Sequence, residues 1–301
     1  MLEDSDLFPT SNSLVVFQQP IHHSLIAIEE ILLEFSENVL LQLRNHWFIQ
    51  LRHKQLQLLQ QEITTEIREY DKGLPGGPLA LYSSEKCLMW PGKCVTLLNW
   101  KYETDGLKLT VSEITYPFIA ALGDEEFQKS VADQNLKAIR PPLAVCTFAI
   151  TTDQMLVLTV RGKTTNVYPG RFYGQGGNPA SVHFSLLQHQ LDELNEELLL
   201  SPDEVIHDSL QFYGIIEDCG AFPRKPDLIG TVQIKLSSQE LSARFYSRPS
   251  HQRPPDVADI KLIPFNGNAL RTFLDSETQP TDFCPPAHGG LRLISQFHFG
   301  K

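Results

Sequence analysis

The sequence predicts an α+β fold built around a mixed sheet. Three observations carry this. Segments of strand composition recur from residue 86 to residue 265; helical stripes interrupt them; and the interruptions follow no regular βαβ period. Of the 301 residues 42% are hydrophobic and 20% charged, which is enough apolar material for a sizeable core. No internal repeat or low-complexity tract occurs.

Taken in order, residues 1–20 are polar, are broken by Pro9 and Pro20, and read as a loose tail. From Ser24 to Tyr70 there is neither Gly nor Pro. Leu25, Ile28, Leu32, Phe35, Val39 and Leu43 form one stripe at helical spacing, and Leu56, Leu59, Ile63, Ile67 and Tyr70 form another. This predicts a helical arm or hairpin over 21–72, bent within NHWFIQLRH. The stripes do not say whose core they join: the arm packs on its own protein, or it makes a homodimer through residues 22–70. GLPGGP at 73–78 marks the first boundary. A β-rich segment is expected over 79–135, with strands at 86–89, 94–101 and 107–114, a turn at TDG (104–106), and a short helix at 124–131. After the Pro141-Pro142 break, residues 140–301 form the last unit. Its expected strands are 143–150, 155–160, 210–216, 228–236 and 260–265. Its expected helices are 181–200, 268–274 and 289–297, with a further helix start at Ser201-Pro202-Asp203-Glu204.

Charge and cysteine usage narrow the function classes. Twenty-five basic against 36 acidic residues give a net charge of -11, which argues against general nucleic-acid binding. No apolar run approaches the roughly 18 residues of a membrane span, so no membrane partner is expected. The opening MLEDSDLFPT lacks the basic and apolar regions of a signal peptide. Five cysteines (Cys87, Cys94, Cys146, Cys219, Cys284) without a CxxC pair fit reduced core thiols in a cytoplasmic protein.

One segment carries chemistry. From Phe172 to Pro223 there is no Lys or Arg, yet nine acids occur, four of them in DELNEE. With Leu187, Leu191, Leu194 and Leu198 as the buried stripe of that helix, Glu193 and Glu197 share a face at i and i+4, and Glu196 lies beside Glu193. Like charges this close repel, and nothing local neutralises them. A solvated acidic face is one reading; a site for Mg²⁺ or Mn²⁺ is the other. The preceding loop, YPGRFYGQGG (168–177), brings glycines that let backbone approach a ligand closely, Gly176 and Gly177 among them. Arg161, Lys163 and Arg171 stand before the acid-only window, and Arg224 and Lys225 after it. Carboxylates for a metal, flanked by cations, are what a diphosphate ester requires.

These residues resemble the Nudix hydrolases. The box of that family runs GG, then a Glu, then REUxEExGU (U a bulky aliphatic), on a loop-helix-loop after a strand. YPGRFYGQGG is similar to the approach, and DELNEELLL (192–200) aligns with REUxEExGU. Glu193, Glu196 and Glu197 fall on its glutamates, so the resemblance implies that they bind Mg²⁺ (or Mn²⁺) and activate water. The segments 214–241, IKLIPFNGNALRTFL and PPAHGGLRLISQFHFG look like the later part of atypical nucleotide-sugar-hydrolysing members, and 79–135 like the β-rich segment before their core. The likeness covers about 79–300 and implies a mixed-sheet α/β/α sandwich. It implies hydrolysis of a nucleoside diphosphate linked to another moiety, plausibly a nucleotide sugar. Arg161, Arg171, Gly176, Gly177 and Arg224 would contact that substrate. The box is degenerate: Asp192 stands for its arginine, Phe184 for its first glutamate and Leu199 for its closing glycine, and Gly177 comes one residue early. The rival expectation is therefore a Nudix-fold module that binds a nucleotide without cleaving it.

Overall fold

The computed structural model describes residues 13–31, 33, 36–61, 63–69, 79–83, 87–89, 91–104, 106–122, 124–130, 142–163, 165, 167–219, 224–249, 254 and 256–300. In chain order the elements are β1 (Ser13–His22), β2 (Ile26–Glu30), α1 (Glu37–Leu59), β3 (Thr65–Glu69), β4 (Leu79–Ser83), β5 (Cys87–Met89), β6 (Lys93–Glu103) and β7 (Gly106–Thr115). Then come α2 (Tyr116–Leu122), α3 (Glu125–Ser130), β8 (Ala144–Ile150), β9 (Met155–Arg161), β10 (Phe172–Tyr173), β11 (Gln175–Gly177) and α4 (Leu186–Leu198). The last are β12 (Val205–Asp218), β13 (Lys225–Ile234), α5 (Ser238–Ser247), β14 (Val257–Pro264), α6 (Gly267–Thr272) and α7 (Pro285–Phe299).

The expected α+β class and mixed sheet are what the chain builds. One eight-stranded sheet runs β1-β12-β13-β8-β9-β10, with β11 also on β8 and β14 also on β9. β13 and β8 pair in parallel, and the other pairs of this sheet are antiparallel. Every residue of β8 is buried, because both faces of the sheet are covered. Val145 and Ala149 face a core shared with Leu191, Leu194 and Leu198 of α4 and Leu241 and Phe245 of α5. Cys146 and Phe148 face the opposite core, with Leu270 of α6 and Leu291 and Ile294 of α7. Helices thus flank the sheet on both sides. Two three-stranded sheets, β2-β7-β6 and β3-β4-β5, complete the N-terminal half, and Val95, Leu97, Leu109 and Val111 join the α4 core.

The N-terminal expectation is corrected in part. Among the described residues of the expected arm, 37–59 form the α-helix, while 21–22, 26–30 and 65–69 belong to strands. The apolar spacing of Leu25 and Ile28 fits a helix, but partners elsewhere decide the outcome, since β2 pairs in parallel with β7. Nor is the tail loose throughout: from Ser13 on it forms β1, antiparallel along β12, burying Val15 at 8% exposure. α1 buries Val39 and Leu43 against Phe118 and Ala121, and Trp47, Leu51 and Leu58 against Leu81. The Trp47 indole N–H donates to the Leu79 carbonyl at 2.6 Å. The expected punctuation at 73–78, Lys86, Asp105, Val131 and Pro141 lies outside the described residues.

Two smaller corrections concern local signals. Ser201 and Glu204 do form a capping box, but it closes a single 3-10 turn, and Val205 opens strand β12. The thiols of Cys94, Cys146, Cys219 and Cys284 are free; Cys219 is exposed, not buried as expected. No described helix is long and apolar enough to cross a membrane.

Candidate functional site

Strand β11 and helix α4 make the site together. Gly176 has φ 156° and lies so close to β8 that an added Cβ would meet the Val145 carbonyl oxygen at 1.8 Å, so only glycine fits. Between the glycines, the buried Gln175 side chain takes the Ala149 N–H (2.8 Å) and donates to the Val157 carbonyl (3.1 Å), stitching β11 to both central strands. Gln190 of α4 reaches back to the Gln175 carbonyl at 3.3 Å. Ser185 caps the helix, accepting from the Gln188 N–H at 3.4 Å. Its inner face is Leu186, Gln190, Leu191, Leu194, Glu197 and Leu198, so Leu187 of the expected stripe is only half-buried.

That face carries two of the three expected glutamates inward. The Gly176 amide favours the charged form of the Glu197 carboxylate, whose Oε2 is buried with no hydrogen-bond partner. Glu193 packs against Gly177, where a Cβ would come within 2.3 Å of its Oε1. Burial first, and then the charges of Glu196, Asp256 and Asp192, push the Glu193 carboxyl up to about 7. Burial and the neighbouring Glu193 push Glu197 well above the carboxylate range, against the pull of Arg161. Glu196 is solvent-exposed. The helix turns it away from the pair that sequence spacing grouped it with.

The box departures have local explanations. Asp192 faces solvent and accepts from the Gln188 side chain at 2.8 Å. His189, at i-4 from Glu193, lies 3.8 Å from that carboxylate and 3.3 Å from the Gly177 carbonyl, and its burial lowers its pKa. Phe184 sets its ring edge-on to His189 at 6.1 Å. Leu199 closes α4 in the left-handed conformation (φ 62°, ψ 32°) that its glycine counterpart would adopt without cost.

The expected cations are dispersed. Arg161, at the end of β9, donates to the Val167 carbonyl (2.9 Å), lies over the Tyr173 ring (5.4 Å) and is the cation opposing the charge on Glu197. Arg171 lies over Tyr168 and donates to the Phe283 carbonyl at 3.4 Å. Arg224 stands 3.9 Å from Glu217. Asp256 was missed by the sequence reading. It enters from the loop before β14, where its carbonyl takes the Gly162 N–H at 2.8 Å, and no spacing rule links it to α4.

Among the described residues no group of three His, Cys, Asp or Glu is set to hold a metal. The donor set nevertheless fits one hard divalent ion. Two buried carboxylates one turn apart, one with an unpartnered oxygen, suit a cation that completes its shell with water and phosphate.

The chain matches no family profile and no curated protein. Solved structures show distant similarity. DR0079 from Deinococcus radiodurans is 11% identical over 53% of this chain and 83% of its own, with a TM-score of 0.35. A bifunctional NMN adenylyltransferase/ADP ribose pyrophosphatase from Francisella tularensis, complexed with AMP and a Mn ion, is 14% identical over 60% of this chain, with a TM-score of 0.36. A second structure of that enzyme gives 14% and 0.35 over 61% of this chain. This chain spans about half the length of the Francisella enzyme. Likeness at this level does not carry a function from one protein to another.

Proposed function

We propose that this protein is a metal-dependent pyrophosphohydrolase of the Nudix type, acting on a nucleoside diphosphate joined to another moiety, plausibly a nucleotide sugar. The observation that supports this most is the inward pair of half-buried Glu193 and buried Glu197 beside Gly177 and Gly176, with Glu197 Oε2 left unpartnered. Glu193 and Glu197 would hold Mg²⁺ or Mn²⁺, with the exposed Glu196 free to join through water. A bound ion would neutralise diphosphate charge and lower the pKa of the attacking water. The chain's own residues do the rest. Glu193, held at about 7 in the ion-free site, would give up its proton as the ion binds. Arg161 supplies positive charge beside Glu197, and Gly177 leaves room for the Glu193 carboxylate where a side chain would stand. Arg171 and Arg224 are the further candidates for phosphate contact.

One observation favours the rival reading of a binding module without turnover. Phe184 puts a ring where the box has a carboxylate, and Glu196 faces solvent, so two inward acids are left. A panel of nucleoside diphosphate derivatives, incubated with Mg²⁺ or Mn²⁺ and followed for nucleoside monophosphate release, decides between them. Metal-dependent release that Glu197→Gln abolishes is the expected result. Retention of a nucleotide with no release over hours would establish the binder.

A further inference from the structure

We propose that two copies of this chain pair through the outer face of α1, antiparallel, about a two-fold axis at the level of Gln50. The inner face of this helix is fully used: Val39, Leu43, Trp47, Leu51 and Leu58 are buried in the chain's own cores. The opposite face is not. Leu41, Phe48 and Leu59 are 57%, 49% and 56% exposed, with Leu56 and Ile49 beside them at 52% and 51%. Such a row of large apolar side chains on one helix marks an interaction surface.

The order of the residues selects the occupant. Positions 41, 45, 48, 52, 55 and 59 follow the 4-3-4-3-4 spacing of a coiled-coil seam and read Leu, Asn, Phe, Arg, Gln, Leu. Laid antiparallel on itself, this row sets Leu41 on Leu59 of the second copy, Asn45 on Gln55, and Phe48 on Arg52. Those are an apolar pair, an amide pair and a cation over an aromatic ring. Each pair recurs across the two-fold, as an isologous interface requires. A parallel pairing would set Arg52 on Arg52, and no acid occurs between residues 38 and 61 to offset it. The whole chain is acidic, with a net charge of -11.

The size of the contact sets its strength. Eighteen residue steps at about 1.5 Å give a seam of about 27 Å. A strip that long and one helix wide is roughly half of the about 800 Å² per partner in a standard interface. A reversible dimer at micromolar concentrations is expected.

Sedimentation equilibrium of the full chain from 1 to 200 μM tests this, with circular dichroism to confirm folding. All positions changed are exposed. Antiparallel pairing predicts that Phe48→Lys, which faces Arg52, weakens dimerisation at least about tenfold, while Phe48→Glu stays within about threefold of wild type. Leu41→Asp should also weaken it at least about tenfold. In a Cys219→Ser background, Leu41→Cys mixed with Leu59→Cys should cross-link, and Leu41→Cys alone should not. A wild type that stays monomeric at 200 μM overturns the proposal, as does a dimer indifferent to Phe48→Lys. Equal weakening by Phe48→Lys and Phe48→Glu, or cross-linking of Leu41→Cys alone, overturns the antiparallel register. Flotation of a monomeric wild type with phosphatidylserine vesicles, lost in Phe48→Glu but not in Phe48→Lys, would assign the face to a membrane surface instead.

Discussion

Replacing Glu193 by Gln is expected to flatten the dependence of stability on pH. In the unfolded chain this carboxyl titrates near 4.5, and in the fold it is raised to about 7, chiefly by burial. The folded state therefore binds the proton more tightly than the unfolded state does. The associated stability is fully present below the unfolded value of 4.5 and is lost as pH rises through the folded value of about 7. At about 1.4 kcal/mol for each tenfold difference in proton affinity, the loss by pH 8 is about 3 kcal/mol. That is a large part of the roughly 5–15 kcal/mol that holds a domain folded. Glu197 is shifted in the same direction, so wild type should lose stability on both accounts. Urea unfolding of metal-free protein at pH 5 and pH 8, followed by tryptophan fluorescence, measures it. Wild type should lose stability across that interval, and Glu193→Gln should lose about 2.5 kcal/mol less, the remainder having gone by pH 5. Millimolar Mg²⁺ at pH 8 should restore wild type more than the variant, because the ion binds only the folded state. Identical pH dependence in the two proteins would refute the assignment of Glu193 as a buried, charge-strained carboxylate.

Three further outcomes follow from single contacts. Gly177→Ala places a methyl 2.3 Å from Glu193 Oε1, the far end of a flexible side chain. The thermal midpoint should hardly move, while metal-dependent turnover, or Mg²⁺ affinity by calorimetry if there is no turnover, should fall at least about tenfold. Leu199→Gly relieves a left-handed residue and should raise unfolding free energy by up to about 1 kcal/mol, less whatever its half-buried side chain contributes; a clear loss in urea titration would show that packing dominates there. A chain beginning at Leu79 loses β1 from the main sheet and α1 from two cores, and should be insoluble or molten. Cooperative unfolding of that fragment would show the N-terminal elements to be an appendage.

What the sequence made legible follows physical lines. The strands at 144–150 and 155–161 stand out because both faces of a central strand are covered, so the apolar run is continuous. Helix α4 is legible from its leucines, and the inward pair Glu193 and Glu197 from their spacing. Glu196 neighbours Glu193 as its spacing implies but is exposed, because spacing fixes neighbours on a helix and not which of them face the sheet. The buried arc includes Gln190, since the polar backbone of β11 gives that amide a partner. The helical reading failed at 21–22 and 26–30 because residues with helical spacing were captured by β12 and β7, pairings far away in sequence. Asp256 had no local signal at all; only the turn that brings Gly162 to its carbonyl places it near the glutamates.

Asp192 tests whether the degenerate box is repaired from elsewhere. If the missing arginine were the whole defect, Asp192→Arg should give Glu193 a charge-assisted hydrogen bond worth about 1.5–3 kcal/mol, or roughly ten- to a hundredfold in rate. The geometry argues otherwise. Asp192 points to solvent with Gln188 as its partner, while Glu193 is buried with His189 and Gly177 on its side of the helix. An arginine at 192 would inherit the outer face and reach Glu193 only through a distant, screened charge. The cation that counters the buried Glu197 is already present, from Arg161. Asp192→Arg is therefore expected to change turnover by less than about threefold. Arg161→Ala should cost at least about tenfold, since it leaves the buried Glu197 carboxylate without that counter-charge. Should wild type prove not to turn over, the same comparison is read in the Mg²⁺ affinity of the two variants. There Asp192→Arg should again lie near wild type. A gain of tenfold or more in Asp192→Arg, with Arg161→Ala near wild type, would place the functional counter-charge on the helix and overturn this account of the site.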